Sequence, residues 1–391
     1  MSGAGPARGW TMSAGAIEVE QARPADYAEL MDLMVRCYRT HTPDHPRFEE
    51  FLPDLYPPGA GCTDHHLVIR LERRLVASLG LFPLELRIGP SRLRVAGIGG
   101  VSVAPEHRGK GLMTTLFAAA AVEMRGRRHA AAWLSSDRDR YARYGWEKAG
   151  SDTEVRVNVA MLEEPAAPWR VRRPDATRAP LEGILADRAR LVSAGEAVPD
   201  VLRRKFLRLG MEVWEASAGP QHAYAVLNQR AKWIAEWGGA PDGLAAIFRH
   251  AIGAGDVWSA RLPPVPDEFT SLFQGMAVQI GTGMDNLSVV SLPDLGRAYE
   301  PWWSRVWPAG KSLRLELDRA AGPDTAVTVA DGRVVADSAH ADFRLRAGPL
   351  KMAAFLFGPA KPSGLLDLPG SLSWLDSAFP LPFYMPSLWR V

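Results

Sequence analysis

Apolar and polar positions along the chain change period several times, and the changes outline the elements. From Asp26 to Tyr38 the apolar set Tyr27, Leu30, Met31, Met34, Tyr38 recurs every three or four residues, which predicts a helix. A loop rich in Pro, His and Asp follows, from His41 to Thr63. Strands are expected at His66–Leu71 and Leu75–Leu81. The segment LELRIGPSRLRVAG alternates on both sides of Gly89-Pro90 and predicts a hairpin. A further strand, Gly97–Val103, should stop at Pro105. A helix from about Leu112 to Arg125 carries Leu112, Leu116 and Ala120 on one face, and Ala130–Leu134 reads as a short buried strand. Helix, antiparallel strands, helix, strand is an α/β layer pattern.

The linker Glu163 to Trp169 and the pair Arg173-Pro174 mark a boundary near 165. Beyond it, amphipathic helices are expected around Leu181–Val192 and Val201–Leu209. Strands Ala223–Leu227 and Lys232–Trp237, a helix Leu244–Ile252 and a strand Val257–Leu262 come next. That strand–helix–strand order echoes the first block and suggests a diverged internal copy. After the Pro-rich stretch Leu262 to Glu268, alternating strands are expected at Lys311–Asp318 and Thr325–Ala330. Asp331-Gly332 turns into Arg333–Ala336, then come a strand Ala341–Arg346 and a helix Leu350–Phe357 closed by Gly358. The expected division is a disordered Gly/Ala/Ser-rich tail at 1–16 and domains at 17–165, 166–270 and 271–391.

Composition narrows the function classes. Of 391 residues, 47 % are apolar and 23 % charged, enough to bury sizeable cores. The charges nearly cancel, 46 basic against 44 acidic, so no basic field is left to hold a phosphate backbone, and no nucleic-acid partner is expected. Two cysteines, Cys37 and Cys62, make neither a disulfide framework nor a four-thiolate zinc site. The start lacks the apolar run of a signal peptide, and no stretch reaches the roughly 18 uninterrupted apolar residues of a membrane span. A cytoplasmic protein with no membrane partner and no metal is expected. Cys62-x-x-His65-His66 has ligand types near zinc spacing but no completing cluster, and is read as loop; Cys37 falls on the apolar side of the first helix.

The chemistry concentrates in two stretches. In VSVAPEHRGKGLMTTLF (Val101 to Phe117) a strand leads into Arg108, Gly109, Lys110 and Gly111, and a helix starts at once. Free amides at a helix N-terminus bind phosphate, glycines let the backbone come close, and Arg108 and Lys110 add full charges, so a pyrophosphate is the natural ligand. The spacing differs from both GxGxxG and GxxxxGK[ST]. About 30 residues later comes SSDRDRYARYGWE (Ser135 to Glu147), again directly after a buried strand.

Arg108-x-x-Gly111 followed by Tyr141-x-Arg143-x-Gly145-Trp146 resembles the GNAT acetyltransferase superfamily, with Met113 standing where Gly or Ala is usual. The string VSVAPEHRGKGLM, the Ser136-to-Tyr141 spacing and the chain length resemble the Eis (enhanced intracellular survival) acetyltransferases. That resemblance implies an α/β (α+β) protein: two tandem GNAT-type domains, the second degenerate, then a small sterol-carrier-like α+β domain. It implies acetyl-CoA as co-substrate. Val101 and Val103 would offer backbone groups to the pantetheine arm. Arg108, Gly109, Lys110, Gly111, Leu112 and Met113 would wrap the pyrophosphate, and Ser136 would line the site. Tyr141 would be the general acid, since a phenol with pKa near 10 is protonated at neutral pH. Val391 would supply the base through the chain's own terminal carboxylate. The second block's counterpart turn, Trp237 to Gly243, has no Arg or Lys, so no CoA is expected there.

The resemblance therefore implies an N-acetyltransferase that lets a primary amine, an aminoglycoside or another small amine, attack the thioester directly in a ternary complex. It also implies a homo-oligomer, in the family a hexamer. Arg390 stands where aminoglycoside-acetylating relatives tend to carry an acid, and beside the terminus it would repel polycations unless Asp44, Glu49, Glu50 or Asp54 offset it. The alternative reading is a CoA- or lipid-binding protein without catalysis, motivated by the third block. The pairs Trp233/Trp237 and Trp302/Trp303 are read as packing or interface.

Overall fold

The computed structural model describes residues 17–165, 168–178, 180–196, 198–319, 322, 324–336 and 341–391; the tail at 1–16 lies outside the described residues. The first block runs β1 (Val19–Gln21), α1 (Tyr27–Arg39), β2 (His66–Leu71), β3 (Arg74–Ile88), β4 (Ser91–Val103), α2 (Leu112–Gly126), β5 (Ala131–Leu134) and β6 (Glu147–Asn158). The hairpin at Gly89-Pro90 forms, with Ile88 paired to Ser91 and Gly89 at φ +55°. Its arms are longer than the pattern suggests, because the strands expected at Leu75–Leu81 and Gly97–Val103 are the far ends of β3 and β4. In β3, residues 75 to 82 are buried without a break, so the alternation that marks a half-exposed strand disappears there. The α2 residues Leu112, Leu116, Phe117 and Ala120 pack onto Leu79, Leu81, Ile98 and Ala132 of the sheet.

The second block runs β7 (Arg170–Arg172), α3 (Glu182–Arg190), β8 (Ser193–Glu196), α4 (Pro199–Phe206), β9 (Met211–Ala218), β10 (Gln221–Asn228), β11 (Trp233–Gly239), α5 (Pro241–Ala251) and β12 (Val257–Leu262). Helix α5 crosses between the parallel strands β11 and β12 as α2 crosses between β4 and β5, so the echo in the sequence is an echo in topology. A strand the pattern gives no sign of follows, β13 (Ala277–Val289). Residues 278–282 are exposed in succession and Gly281 and Gly283 interrupt the strand, which hides any period.

Hydrogen bonding joins thirteen described strands into one sheet, in the order β1-β2-β3-β4-β5-β13-β6-β12-β11-β10-β9-β7, with β8 on the far half of β3. The two halves exchange strands: β6 of the first block pairs with β12, and β13 pairs with β5. Strand pairing thus runs across both sequence boundaries, at 165 and at 270.

The chain then forms α6 (Leu292–Val306), β14 (Ser312–Leu317), β15 (Ala326–Ala330), β16 (Arg333–Val335), β17 (Phe343–Ala347) and α7 (Pro349–Phe357). The small sheet has the order β16-β15-β14-β17, and Leu313, Leu315 and Val329 share one core with Tyr299, Trp303, Met352 and Phe355. Helix α6 was not legible because Pro301 sits inside it and Gly296 interrupts its apolar face. Trp303 and Trp237 are core residues, the latter tilted onto Phe273 at 4.3 Å. Among the described residues no helix is long and apolar enough to cross a membrane.

Candidate active site

The parallel pair β4–β5 lasts only from Val95/Ala131 to Gly97/Trp133. Beyond it β5 ends at Leu134 while β4 runs on to Val103. The β3–β4 register slips by one residue between Ser78 and Gly80, leaving the extra residue in β4, where Gly100 takes φ +59°. The strands part at this bulge and the N-terminus of α2 faces the gap. A cleft of about 800 Å³ opens there. Val101, Val103, Arg108, Gly109, Gly111, Leu112, Met113, Ser136, Tyr141 and Val391 all line it. Lys110 stands outside the lining, its Nζ 3.3 Å from His107 Nδ1.

At one end the cleft is built for an anion. Gly109 and Gly111 both take φ +77°, and a Cβ on either would meet no atom within 4 Å. The glycines are therefore required by the left-handed backbone, not by crowding. No side chain caps α2, so its first amides keep their hydrogen-bonding capacity and the positive end of the helix dipole. Arg108 lies across this end, donating to the Val103 carbonyl at 3.3 Å and to Thr40 Oγ1 at 3.1 Å. Arg140 and Arg143 also line the cleft. The counterpart in the second block is closed: a Cβ on Gly239 would lie 2.3 Å from the His222 carbonyl oxygen, and α5 opens on Pro241, which has no amide hydrogen.

Tyr141 ends a single helical turn and packs edge-on against Phe117 at 5.7 Å. It is 7 % exposed. Burial pushes its phenol above the ordinary value, and Arg140 and Ser136 offset this only in part, so the group holds its proton at neutral pH. Tyr144 stacks on Phe117 at 4.6 Å and Trp146 fills the core behind.

The chain's own end closes the cleft. Val391 lies against β4 where there are no side chains: a Cβ on Gly97 would be 2.9 Å from Val391 Cγ2, and one on Gly99 would be 3.4 Å from the Val391 carboxyl carbon. Trp389 occupies the slot left by Gly195, with the Arg188 guanidinium 4.5 Å and Lys205 Nζ 4.8 Å from its ring centre. Arg208 Nη1 donates to the Arg390 carbonyl at 2.8 Å. Asp54, from the loop that borders the cleft, accepts from Lys205 at 2.9 Å and from Arg208 at 2.6 and 2.7 Å. Burial pushes the Asp54 carboxyl up, and Arg208 and Lys205 more than offset that, leaving it at about 2.

One expectation is corrected here. Arg390 does not face the cleft: its Nη2 binds Asp285 Oδ1 at 3.0 Å and its guanidinium lies 5.7 Å from the Trp133 ring centre, so its charge is spent away from any bound amine. Cys62, read as loop, sits buried in a short 3-10 turn (Ala60–His65), and His66, also buried, opens the strand expected there. His66 lies on β2, and its Nδ1–H donates to the Cys62 carbonyl at 2.9 Å, which leaves the lone pair on Nε2. Burial holds that ring at about 4. No group of three metal-ligating side chains occurs among the described residues.

The sequence reading missed the other wall of the cleft. Tyr38, His45, Phe48, Phe51, Leu52 and Tyr56 line it. Apart from Tyr38 they lie in a loop segment whose one helical turn, Phe48–Phe51, is too short to show a period, and only its density of aromatic rings could have drawn attention.

Residues 18–149 match the family model described as an acetyltransferase (GNAT) domain. No curated protein matches the chain. Among solved structures the chain is similar to a GCN5-related N-acetyltransferase from Anabaena variabilis, with 16 % identity, TM-score 0.68, and 95 % of this chain and 98 % of that one covered. It is also similar to a GCN5-related N-acetyltransferase from Kribbella flavida, with 18 % identity, TM-score 0.63, and 93 % and 95 % covered. Eis1 from Mycobacterium abscessus is a third, with 15 % identity, TM-score 0.62, and 91 % and 94 % covered. These likenesses show a GNAT-type fold along the chain. The matched domain makes the protein an acyltransferase, with acetyl-CoA as co-substrate.

Proposed function

We propose that the protein is an Eis-like N-acetyltransferase that passes the acetyl group of acetyl-CoA directly to a primary amine. One observation carries this reading: Tyr141, the uncapped end of α2 and the terminus at Val391 line a single cleft. The pyrophosphate would lie on the amides and charges of Arg108 to Met113, and the pantetheine arm would pair with the backbone of Val101 and Val103, which β5 leaves unpaired. Lys110 would act at long range, from outside the lining. Ser136 would line the arm beside Tyr141.

In the transfer, the amine nitrogen attacks the thioester carbonyl and the carbon–sulfur bond breaks. The Val391 carboxylate takes the proton from the amine and the Tyr141 hydroxyl gives one to the departing thiolate, so both charges are cancelled without a covalent enzyme intermediate. Holding both reactants in one cleft supplies much of the rate, because the attack becomes unimolecular. By the same resemblance the protein is a homo-oligomer, with a hexamer as the expected assembly. Residues 271–391 would hold the sterol-carrier-like domain.

Acetyl-CoA-dependent thiol release with amine acceptors tests the roles. Tyr141→Phe should lower kcat about 10²- to 10⁴-fold while acetyl-CoA still binds, as expected for the loss of a general acid. A chain extended by a few residues past Val391 should lose activity in the same way. Unchanged turnover in either variant removes that group from the mechanism.

A further inference from the structure

We infer that the acceptor is a monoamine carrying an aryl or flat apolar group, not a polycation; this rests on the N-acetyltransferase reading above. Tyr38 and Phe48 meet edge-on at 4.9 Å, His45 lies 5.1 Å from each, Phe51 is 5.8 Å from His45, and Tyr56 is 5.1 Å from Phe48. Rings that hold one another in this way form a preformed apolar surface, which suits a flat hydrophobic body. Val391 packs with the same cluster, so the terminal carboxylate stands beside the wall. An amine at that carboxylate would have its organic body against the rings.

Charge decides against a polycation. None of the described side chains lining the cleft is Asp or Glu. Of the acids of the bordering segment, Asp54 is committed to Lys205 and Arg208 and Glu49 to Arg47 at 2.6 Å, while Asp44 and Glu50 are exposed and stand outside the lining. The terminal carboxylate therefore serves one ammonium group. Each further ammonium would lose water without gaining a partner, and Arg108, Arg140 and Arg143 in the lining would repel it. Phe51, 38 % exposed at the edge of the cluster, leaves the wall open to solvent at that end.

The test is kcat/KM for thiol release with phenethylamine, tryptamine, butylamine, spermidine and kanamycin at one acetyl-CoA concentration. Phenethylamine and tryptamine should exceed butylamine by at least tenfold and exceed both polycations. Phe51→Ala, at a partly exposed position where folding is not at stake, should narrow the aryl-to-alkyl ratio at least threefold. Equal rates for aryl and alkyl amines, or a lead for spermidine or kanamycin, would overturn the inference and leave the acetyltransferase intact. Silence with every amine while acetyl-CoA binds would instead overturn the N-acetyltransferase reading, and the acceptor class with it.

Discussion

Tyr141 shows how a common residue type becomes suited to one task. The phenol is buried against Phe117, and removing water from around it disfavours the phenolate. Its folded pKa lies above the unfolded value of about 10, so the proton is held more tightly in the native state. The stability from that preference is complete below about pH 10 and is lost as pH rises through the folded value. In the proposed mechanism the protonated form is the active one. The pH profile of kcat should therefore show no alkaline fall from this group below about pH 10. A fall centred near pH 8 that disappears in Tyr141→Phe would show that the phenol is the titrating group and that its pKa is depressed.

At the scale of elements, the C-terminal segment is held by missing side chains as much as by present ones. Gly97, Gly99 and Gly195 leave the room that Val391 and Trp389 fill. In Gly195→Ala the new methyl would lie 2.2 Å from the Trp389 indole, closer than any real contact, so the ring must leave. The expected cost is about 1–3 kcal/mol, as for other overpacked sites. The freed tail should be trimmed faster by carboxypeptidase, and kcat should fall while acetyl-CoA binding persists. A variant with a native rate of trimming would mean that the slot accommodates the extra methyl.

Across the whole molecule, two devices tie the blocks together: the exchange of β6 and β13, and the buried group Asp54, Lys205 and Arg208. In that group the first block's loop, the second block's α4 region and the tail meet, with side-chain exposure of 0 to 4 %. Removing one partner of a buried ion pair leaves its charge uncompensated. Asp54→Asn should cost about 3–5 kcal/mol in denaturant unfolding at pH 7. The Asp54 pKa is depressed to about 2, so its contribution is present above the unfolded value near 3.9 and is lost as pH falls towards 2. The gap between native chain and variant should therefore close across that window. A gap that stays constant would mean Asp54 is not ionised in the native state.

What the sequence determined by itself is local. The left-handed glycines before α2, the charges beside them and the spacing to Tyr141 all lie within about forty residues, and short-range geometry links them to one strand–helix–strand unit. The same holds for the Gly89 hairpin and for the parallel β11–α5–β12 echo. What the tertiary structure decided depends on residues far apart. Asp54 and Arg208 are separated by 154 positions, and Arg390 and Asp285 by 105. No period or motif records such pairs, so the destination of the Arg390 charge could not be read. Strand β13 was hidden because its exposed, glycine-bearing half gives no alternation, and its place between β5 and β6 is set only by hydrogen-bond partners from another block. The aromatic wall was hidden because a loop segment with a single helical turn, Phe48–Phe51, shows no repeat, and its rings become a surface only when the fold brings them together.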